Sequence, residues 1–294
     1  MAGSLLGAGV VPGDFIAVLS RNCPEYAALH FGAARAGVIP AHISVRGTPE
    51  EVAAILTLTK ARLLFHDDDS GVLAQLACET VEHDVGRVFL AEGLAGFLEM
   101  MRSGRDIPML SPEDPLCITY SGGTTGAPKG VPVSHRSRCG MADIIAGSFG
   151  LSSRDVVCVV TPLFYVAGLL VWFQPAIAVG ATCVLQHIWD PGELMQLVEA
   201  HQVSALMMVP TQLIDLLKHP EFSPERLMSV VRIVHAGAAM PPAVLEQVLQ
   251  TLPGIEFIEN YGQSELGSVT VQVGPIFHSR LAASEQRSRM WKSA

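Results

Sequence analysis

Between Asp155 and Asp190 the chain carries no Asp, Glu, Lys or Arg. The run exceeds the ~20 residues that cross a bilayer, so any fold must first account for it. Pro162, Gly168, Pro175 and Gly180 cut it into pieces. Val156–Thr161 is β-branched and of strand length, Ala167–Val179 is of helix length, and Ala181–Gln186 again reads as a strand. A buried strand–helix–strand unit explains this pattern better than a membrane span. Strands of a parallel sheet are covered on both faces and read as near-continuous apolar runs. Trp172 and Trp189 are expected to pack in that core.

The same alternation runs along most of the chain. Strands are expected at Asp14–Ser20, Val38–Ile43, Arg62–His66, Arg87–Ala91, Leu116–Tyr120, Ala205–Val209, Val230–His235 and Ile255–Asn260. Helices are expected at Pro24–Ala36, ending at Gly37, and from Ser134 to Phe149, from Asp190 to about His201, and at Pro241–Thr251. Thr48-Pro49-Glu50-Glu51 is a helix start, with Thr48 as N-cap, Pro49 at the first position and Glu51 closing a capping box. Strands alternating with helices predict an α/β fold with parallel sheets covered on both faces.

Composition narrows the function. Hydrophobic residues make up 49% of the 294 residues and charged ones 16%, so the chain can bury enough apolar surface to order itself. The net charge is −9, without a Lys/Arg cluster dense enough for a nucleic-acid partner. The six cysteines are widely spaced and lack a C-x-x-C pair. They read as small buried hydrophobes rather than a disulfide framework or zinc site. Met1-Ala2-Gly3-Ser4 lacks the positive start of a signal peptide, and the expectation is a cytoplasmic protein without a transmembrane segment.

Residues 120–131 read Tyr-Ser-Gly-Gly-Thr-Thr-Gly-Ala-Pro-Lys-Gly-Val. Gly122, Gly123 and Gly126 allow tight turns that aim backbone N–H groups inward. Ser121, Thr124 and Thr125 add hydroxyl donors, and Lys129 adds a fixed positive charge. Together they suit a polyphosphate. The order is not Walker A, because Pro128 rather than Gly precedes Lys129. The segment is expected between a strand and a helix.

This segment resembles the phosphate-binding loop of the adenylate-forming, AMP-binding enzymes: acyl-CoA synthetases, luciferases and peptide-synthetase adenylation domains. Ser134-His135-Arg136 is similar to the segment that follows the loop in acyl-CoA synthetases. Pro162-Leu163-Phe164-Tyr165-Val166-Ala167-Gly168 resembles the family's acyl-pocket motif, with Tyr165 in place of the usual His. Ala236-Gly237-Ala238-Ala239-Met240-Pro241 resembles the turn that lies against adenine, and Tyr261-Gly262-Gln263-Ser264-Glu265 the Tyr-Gly-x-Thr-Glu motif. Val11–Asp14 and Arg35–Pro40 also look like family segments. The motifs stand in the family's order over roughly residues 5–273.

The resemblance implies a large N-terminal lobe of two packed, mostly parallel sheets flanked by helices, with the cleft at their junction. It implies an AMP-binding lobe over residues 1–274, with subdomains of about 1–150 and 151–274, and a tail at 275–294 outside the family. ATP or AMP would be held by the 121–126 loop, Lys129, the Gly237–Ala239 turn, Tyr261, Gly262 and Ser264. Tyr261 would stack on adenine, or else be a core tyrosine at a strand end. Lys129 and Glu265 would serve catalysis. Glu265, with the Ser121 hydroxyl, would hold Mg²⁺, or else be a solvated carboxylate. Tyr165 and His235 are the candidate substrate contacts, His235 being alternatively a structural histidine. His135 reads as a helix-start residue.

In the family the pattern continues with a Thr-Gly-Asp motif and a small C-terminal domain bearing a catalytic lysine, neither of which this sequence contains. The implied function is ATP-dependent activation of a fatty or other carboxylic acid through an acyl-adenylate, with CoA as co-substrate in the full-length family. Without the small domain, that activity is expected to be impaired and apolar surface exposed for self-association. The alternatives are a non-catalytic nucleotide-binding remnant and a fragment of a peptide-synthetase adenylation domain. The missing acid before the acyl-pocket helix weighs against the second alternative.

Overall fold

The computed structural model describes residues 1–90, 106–121, 129–265 and 267–273. The chain forms two compact units, Met1–Ala142 with Pro162–Leu170, and Asp143–Thr161 with the residues from Val171 onward.

The first unit holds α1 (Ala2–Gly7), β1 (Phe15–Leu19), α2 (Pro24–Ala36), β2 (Ile39–His42), α3 (Pro49–Thr59), β3 (Leu63–His66), α4 (Gly71–Glu79), β4 (Gly86–Phe89), β5 (Pro115–Ser121) and β6 (Lys129–Ser134). The start of α5 (His135–Ser148) belongs to it too. Its six strands lie in the order β4-β3-β1-β2-β5-β6. All neighbours are parallel except β5 and β6. Alternation along the strands divides the faces. Ala17 and Leu19 of β1, with Ala41 of β2 and Ile43, pack with Val52 and Leu56 of α3 and Ala74 and Ala77 of α4. On the opposite face His42 bonds Tyr26 and His30 of α2. The caps form as expected: Thr48 and Glu51 make a reciprocal capping box on α3, and Gly37 ends α2 at φ 70°.

The second unit holds the rest of α5, β7 (Val156–Val159), α6 (Gln174–Ala178), β8 (Thr182–Leu185), α7 (Pro191–His201), β9 (Ala205–Met208), α8 (Pro210–Lys218), β10 (Arg232–His235), α9 (Pro242–Thr251), β11 (Glu256–Gln263) and β12 (Gly267–Val273). Its sheet order is β12-β11-β10-β9-β7-β8, parallel save for β11 with β12. Cys158, Leu206, Met208, Ile233 and Phe257 form one core with Leu194 and Val198 of α7, Leu213 and Leu216 of α8, and Leu245 and Val248 of α9. Val157, Val159, Met207, Val234 and Ile258, pointing the other way, are buried as well. Asp155 ties the starts of three strands together. It accepts from Ser152 before β7, from Ser204 before β9 (2.8 Å) and from Arg232 at the start of β10 (2.9 Å). The amino ends of these strands are thereby locked, and the carboxyl ends are left to carry loops.

Three expectations need correction. The glycine-rich loop does not join a strand to a helix: Lys129–Ser134 returns as antiparallel β6, and α5 starts only at His135. β6 is the sheet edge, where Pro132 removes no needed ladder donor. The single helix expected over Ala167–Val179 is instead a π-helix, Ala167–Phe173, followed by α6. Trp172 is fully buried and donates to the Cys158 carbonyl (3.0 Å), and Trp189, half-buried, packs against the core of the second unit and donates to Asp215 (3.2 Å), both as expected. The third correction concerns the cysteines. Cys117 and Cys158 are buried, Cys23, Cys78 and Cys183 are half-buried, and Cys139 is exposed. The charge-free run is a strand, the π-helix with α6, and a second strand. Among the described residues no helix is long and apolar enough to cross a membrane.

Candidate nucleotide and acyl site

In the first unit the β5–β6 hairpin brings Ser121 opposite Lys129 and Tyr120 opposite Gly130. The two ends of the phosphate-loop segment are thus fixed by sheet hydrogen bonds. Gly122, Gly123, Thr124, Thr125 and Gly126 lie outside the described residues. Lys129 is exposed. A Cβ at Gly130 would fall 2.6 Å from Ile118 Cδ1, so a larger residue there would push the Ile118 side chain aside. Tyr120 is half-buried against the core, and burial pushes its phenol up to about 12. His135 is the first residue of α5.

The same unit carries Pro162–Leu170. Its Tyr165 ring is partly exposed and meets Phe164 edge-on at 4.6 Å. Two buried polar side chains that the motifs do not mark hold this segment. Asn22, after β1, accepts from the Leu163 N–H (2.7 Å), and Arg138 on α5 donates to the Leu170 carbonyl (2.6 Å).

In the second unit the sequence motifs gather at the carboxyl ends of adjacent strands, where open α/β sheets carry ligands. His235 is the last residue of β10 and has no exposed surface. It stacks on Phe257 at 5.1 Å, and burial lowers its pKa to about 4, so the ring is neutral near pH 7. The next residues form a turn pinned by buried Ala236 and Met240, with Gly237, Ala238 and Ala239 exposed between them. Gly237 adopts φ 85° and sits against Val209, a Cβ there lying 3.3 Å from Val209 Cγ1. The left-handed φ at this turn therefore favours glycine, and a larger residue would also push the Val209 side chain slightly aside.

Tyr261 lies on β11, paired with Thr270 of β12, with its side chain 60% exposed. A large aromatic ring held open on a paired strand is a stacking surface, and the core-tyrosine reading does not apply. At Gly262 the ladder shifts register, and a Cβ would lie 2.1 Å from the Gly267 carbonyl oxygen. Only glycine lets the hairpin close there. Ser264 is half-buried and Glu265 exposed in the turn that follows. Among the described residues no three His, Cys, Asp or Glu side chains gather into a metal cluster. Glu265 offers a hard oxygen ligand of the kind Mg²⁺ takes when phosphates and water fill its other positions.

Sequence reasoning also misses Gln212. It receives the Val209 N–H (3.0 Å) and donates to the Val160 carbonyl (3.1 Å), joining the carboxyl ends of β9 and β7. The chain leaves these two strands in opposite directions, which marks the switch point of the sheet.

Comparison with known proteins places this geometry. The family model described as AMP-binding enzyme matches residues 1–288. The chain is 29% identical over 287 residues to a fatty acid–[acyl-carrier-protein] ligase, ScoC, of Streptomyces coeruleorubidus, covering 95% of this chain and 54% of that protein. It is 31% identical to a long-chain-fatty-acid–CoA ligase of Thermus thermophilus, covering 92% and 51%. The N-terminal domain of FACL13 from Mycobacterium tuberculosis superposes with a TM-score of 0.80 at 26% identity, over 92% of this chain and 68% of that one. The chain spans about half the length of the curated relatives it matches. The fold, the ordered motifs and the match over residues 1–288 together make the chain a member of the AMP-binding enzyme family.

Proposed function

We propose that this chain is the nucleotide-binding lobe of a ligase that activates a carboxylic acid with ATP. In that reaction a substrate carboxylate oxygen bonds to the α-phosphorus of ATP. The bond from that phosphorus to the bridging oxygen breaks, and pyrophosphate leaves with an acyl-adenylate as the other product. The protein's task is alignment and charge stabilisation.

The residue roles are those that membership of the AMP-binding family implies, and the chemistry of each side chain supports them. The exposed Tyr261 ring and the Gly237–Ala239 turn would take the adenine, one by stacking and the other by backbone approach. Ser264 would donate to an α-phosphate oxygen. Lys129, with Ser121 and the 122–126 segment, would hold the outer phosphates. Glu265, with the Ser121 hydroxyl, would coordinate Mg²⁺, which would neutralise phosphate charge when bound. Tyr165 would face the acid, and the fully buried, neutral His235 would support the adenine turn from beneath rather than touch substrate. The adenylate would then pass to a thiol, CoA in this reading. Relatives named as fatty-acid ligases and as a 4-coumarate–CoA ligase support a simple carboxylic acid over an amino acid.

The observation that carries this reading is Tyr261, a ring 60% exposed yet fixed on a paired strand, four residues before an exposed carboxylate. The test is calorimetric titration with ATP and AMP in Mg²⁺, together with carboxylate-dependent exchange of pyrophosphate into ATP. Binding of both nucleotides, weakened about tenfold or more in Tyr261→Ala as expected for a lost stacking contact, supports it. Unchanged binding in Tyr261→Ala would overturn the adenine assignment.

A further inference from the structure

Pro175 cannot donate a backbone hydrogen bond. It stands five residues after Leu170, which lies within the π-helix Ala167–Phe173. At π-helical spacing a carbonyl takes the N–H of the fifth residue on, so the carbonyl of Leu170 is the one Pro175 leaves without its donor. Arg138 supplies that donor from α5, with its Nη2 2.6 Å from the Leu170 oxygen. The guanidinium is costly where it lies, because Arg138 is only 3% exposed. Burying a guanidinium has a desolvation cost, and its bond to a backbone carbonyl distant in sequence gives it a positional use.

The other end of the segment is held in the same manner. Asn22, 4% exposed, uses its side-chain oxygen to take the Leu163 N–H at 2.7 Å. Between the two anchors, Tyr165 donates its N–H to the Pro162 carbonyl (3.1 Å) and accepts from Leu169 (3.0 Å). The stretch from Leu163 to Leu170 is therefore a short rigid piece clamped at both ends by side chains distant in sequence.

We propose that Asn22 and Arg138 are positioning residues that fix the Leu163–Leu170 segment, and through it the Tyr165 ring, as a wall for the acid substrate. The inference rests on the proposed acid-activating function for the role of Tyr165. The clamp itself is read independently of that function.

The experiment uses the full chain with Asn22→Ala, Arg138→Met and Arg138→Lys. Hydrogen exchange by mass spectrometry is followed in peptides covering 163–170, with β9 and β10 as internal references. The Michaelis constants for acid and for ATP are measured by pyrophosphate exchange. Loss of either anchor is expected to speed exchange at 163–170 about tenfold or more, the size of one charge-assisted or buried hydrogen bond. The reference strands should be unchanged. KM for the acid should rise by a similar factor with KM for ATP unaffected, and Arg138→Lys should restore part of both. If Arg138→Met does not fold, Asn22→Ala and Arg138→Lys decide the matter. Exchange at 163–170 equal to wild type, uniform loosening of both units, or equal rises in the two Michaelis constants would overturn the proposal. A wild-type chain without acid-dependent exchange of pyrophosphate would instead remove the acid-activating function, and the exchange at 163–170 would still decide the clamp.

Discussion

Glu265 and Lys129 are both exposed, and that separates their chemistry from stability. Surface substitutions away from caps and packing usually move stability by about 0.5 kcal/mol or less. Glu265→Gln should therefore leave the thermal midpoint within a degree or two while removing the Mg²⁺ dependence of ATP binding. A large loss of stability without nucleotide would return Glu265 to a structural role. Lys129→Ala should weaken ATP about tenfold more than AMP, as expected for one lost charge-assisted contact to the outer phosphates. Equal losses in calorimetric titrations would remove that role. These residues were singled out as candidates because short motifs in a fixed order carry them. Asn22 and Arg138 were not, since each works on a backbone group 141 and 32 residues away along the chain. A side chain that bonds a distant peptide leaves no local pattern. Burial of a polar residue within an otherwise apolar face is the only trace, and in sequence a buried Arg looks like a surface one.

The elements were most legible where local chemistry decides them. Thr48 and Glu51 close their capping box, and Asp190 caps α7 by accepting from the Glu193 N–H at 2.7 Å. Each cap consists of neighbours in sequence, so spacing alone finds it. Asp190→Ala should accordingly lower unfolding free energy by about 1 kcal/mol, with Asp190→Asn close to wild type. Urea titrations showing no difference between the two variants would mean that packing alone sets the start of α7. What sequence missed was set by distant partners. Lys129–Ser134 contains Gly130 and Pro132 and reads as loop, yet β5 recruits it as an edge strand. β12 exists because Gly262 lets the backbone approach Gly267. The π-helix has helix composition, and only Pro175 hints that the ordinary spacing fails.

Each unit buries histidine, and this sets how the whole molecule responds to acid. In the first unit, burial holds His30 at about 3 and His42 well below the usual histidine value. In the second, burial holds His235 at about 4. Unfolded histidine titrates near 6.5. Between that value and the folded ones, the unfolded chain binds protons that the folded chain refuses. Stability is therefore fully present above about pH 6.5 and falls as pH drops below it, by up to about 1.4 kcal/mol per pH unit for each histidine. Asp155 acts in a lower window. Despite the opposing effect of its own burial, its bonds to Ser204 and Ser152 and the Arg232 charge lower its pKa. Its contribution is present above the unfolded value near 3.9 and is lost only below it. Histidine thus governs the range from about pH 6.5 to 4.5. Over those two pH units three such groups remove up to about 8 kcal/mol, which is comparable with a typical protein stability of about 5–15 kcal/mol. The urea midpoint should be highest near pH 7 and fall steeply toward pH 5. Above about pH 8 it should fall again, because the buried thiols Cys117 and Cys158, pushed up to about 12, keep protons that the unfolded chain releases. His235→Phe, which keeps an aromatic ring against Phe257, should flatten that fall by the equivalent of one proton. A midpoint independent of pH between 7 and 5 would mean that these histidines are protonated in the folded protein, and that water or a charge reaches rings the packing otherwise encloses.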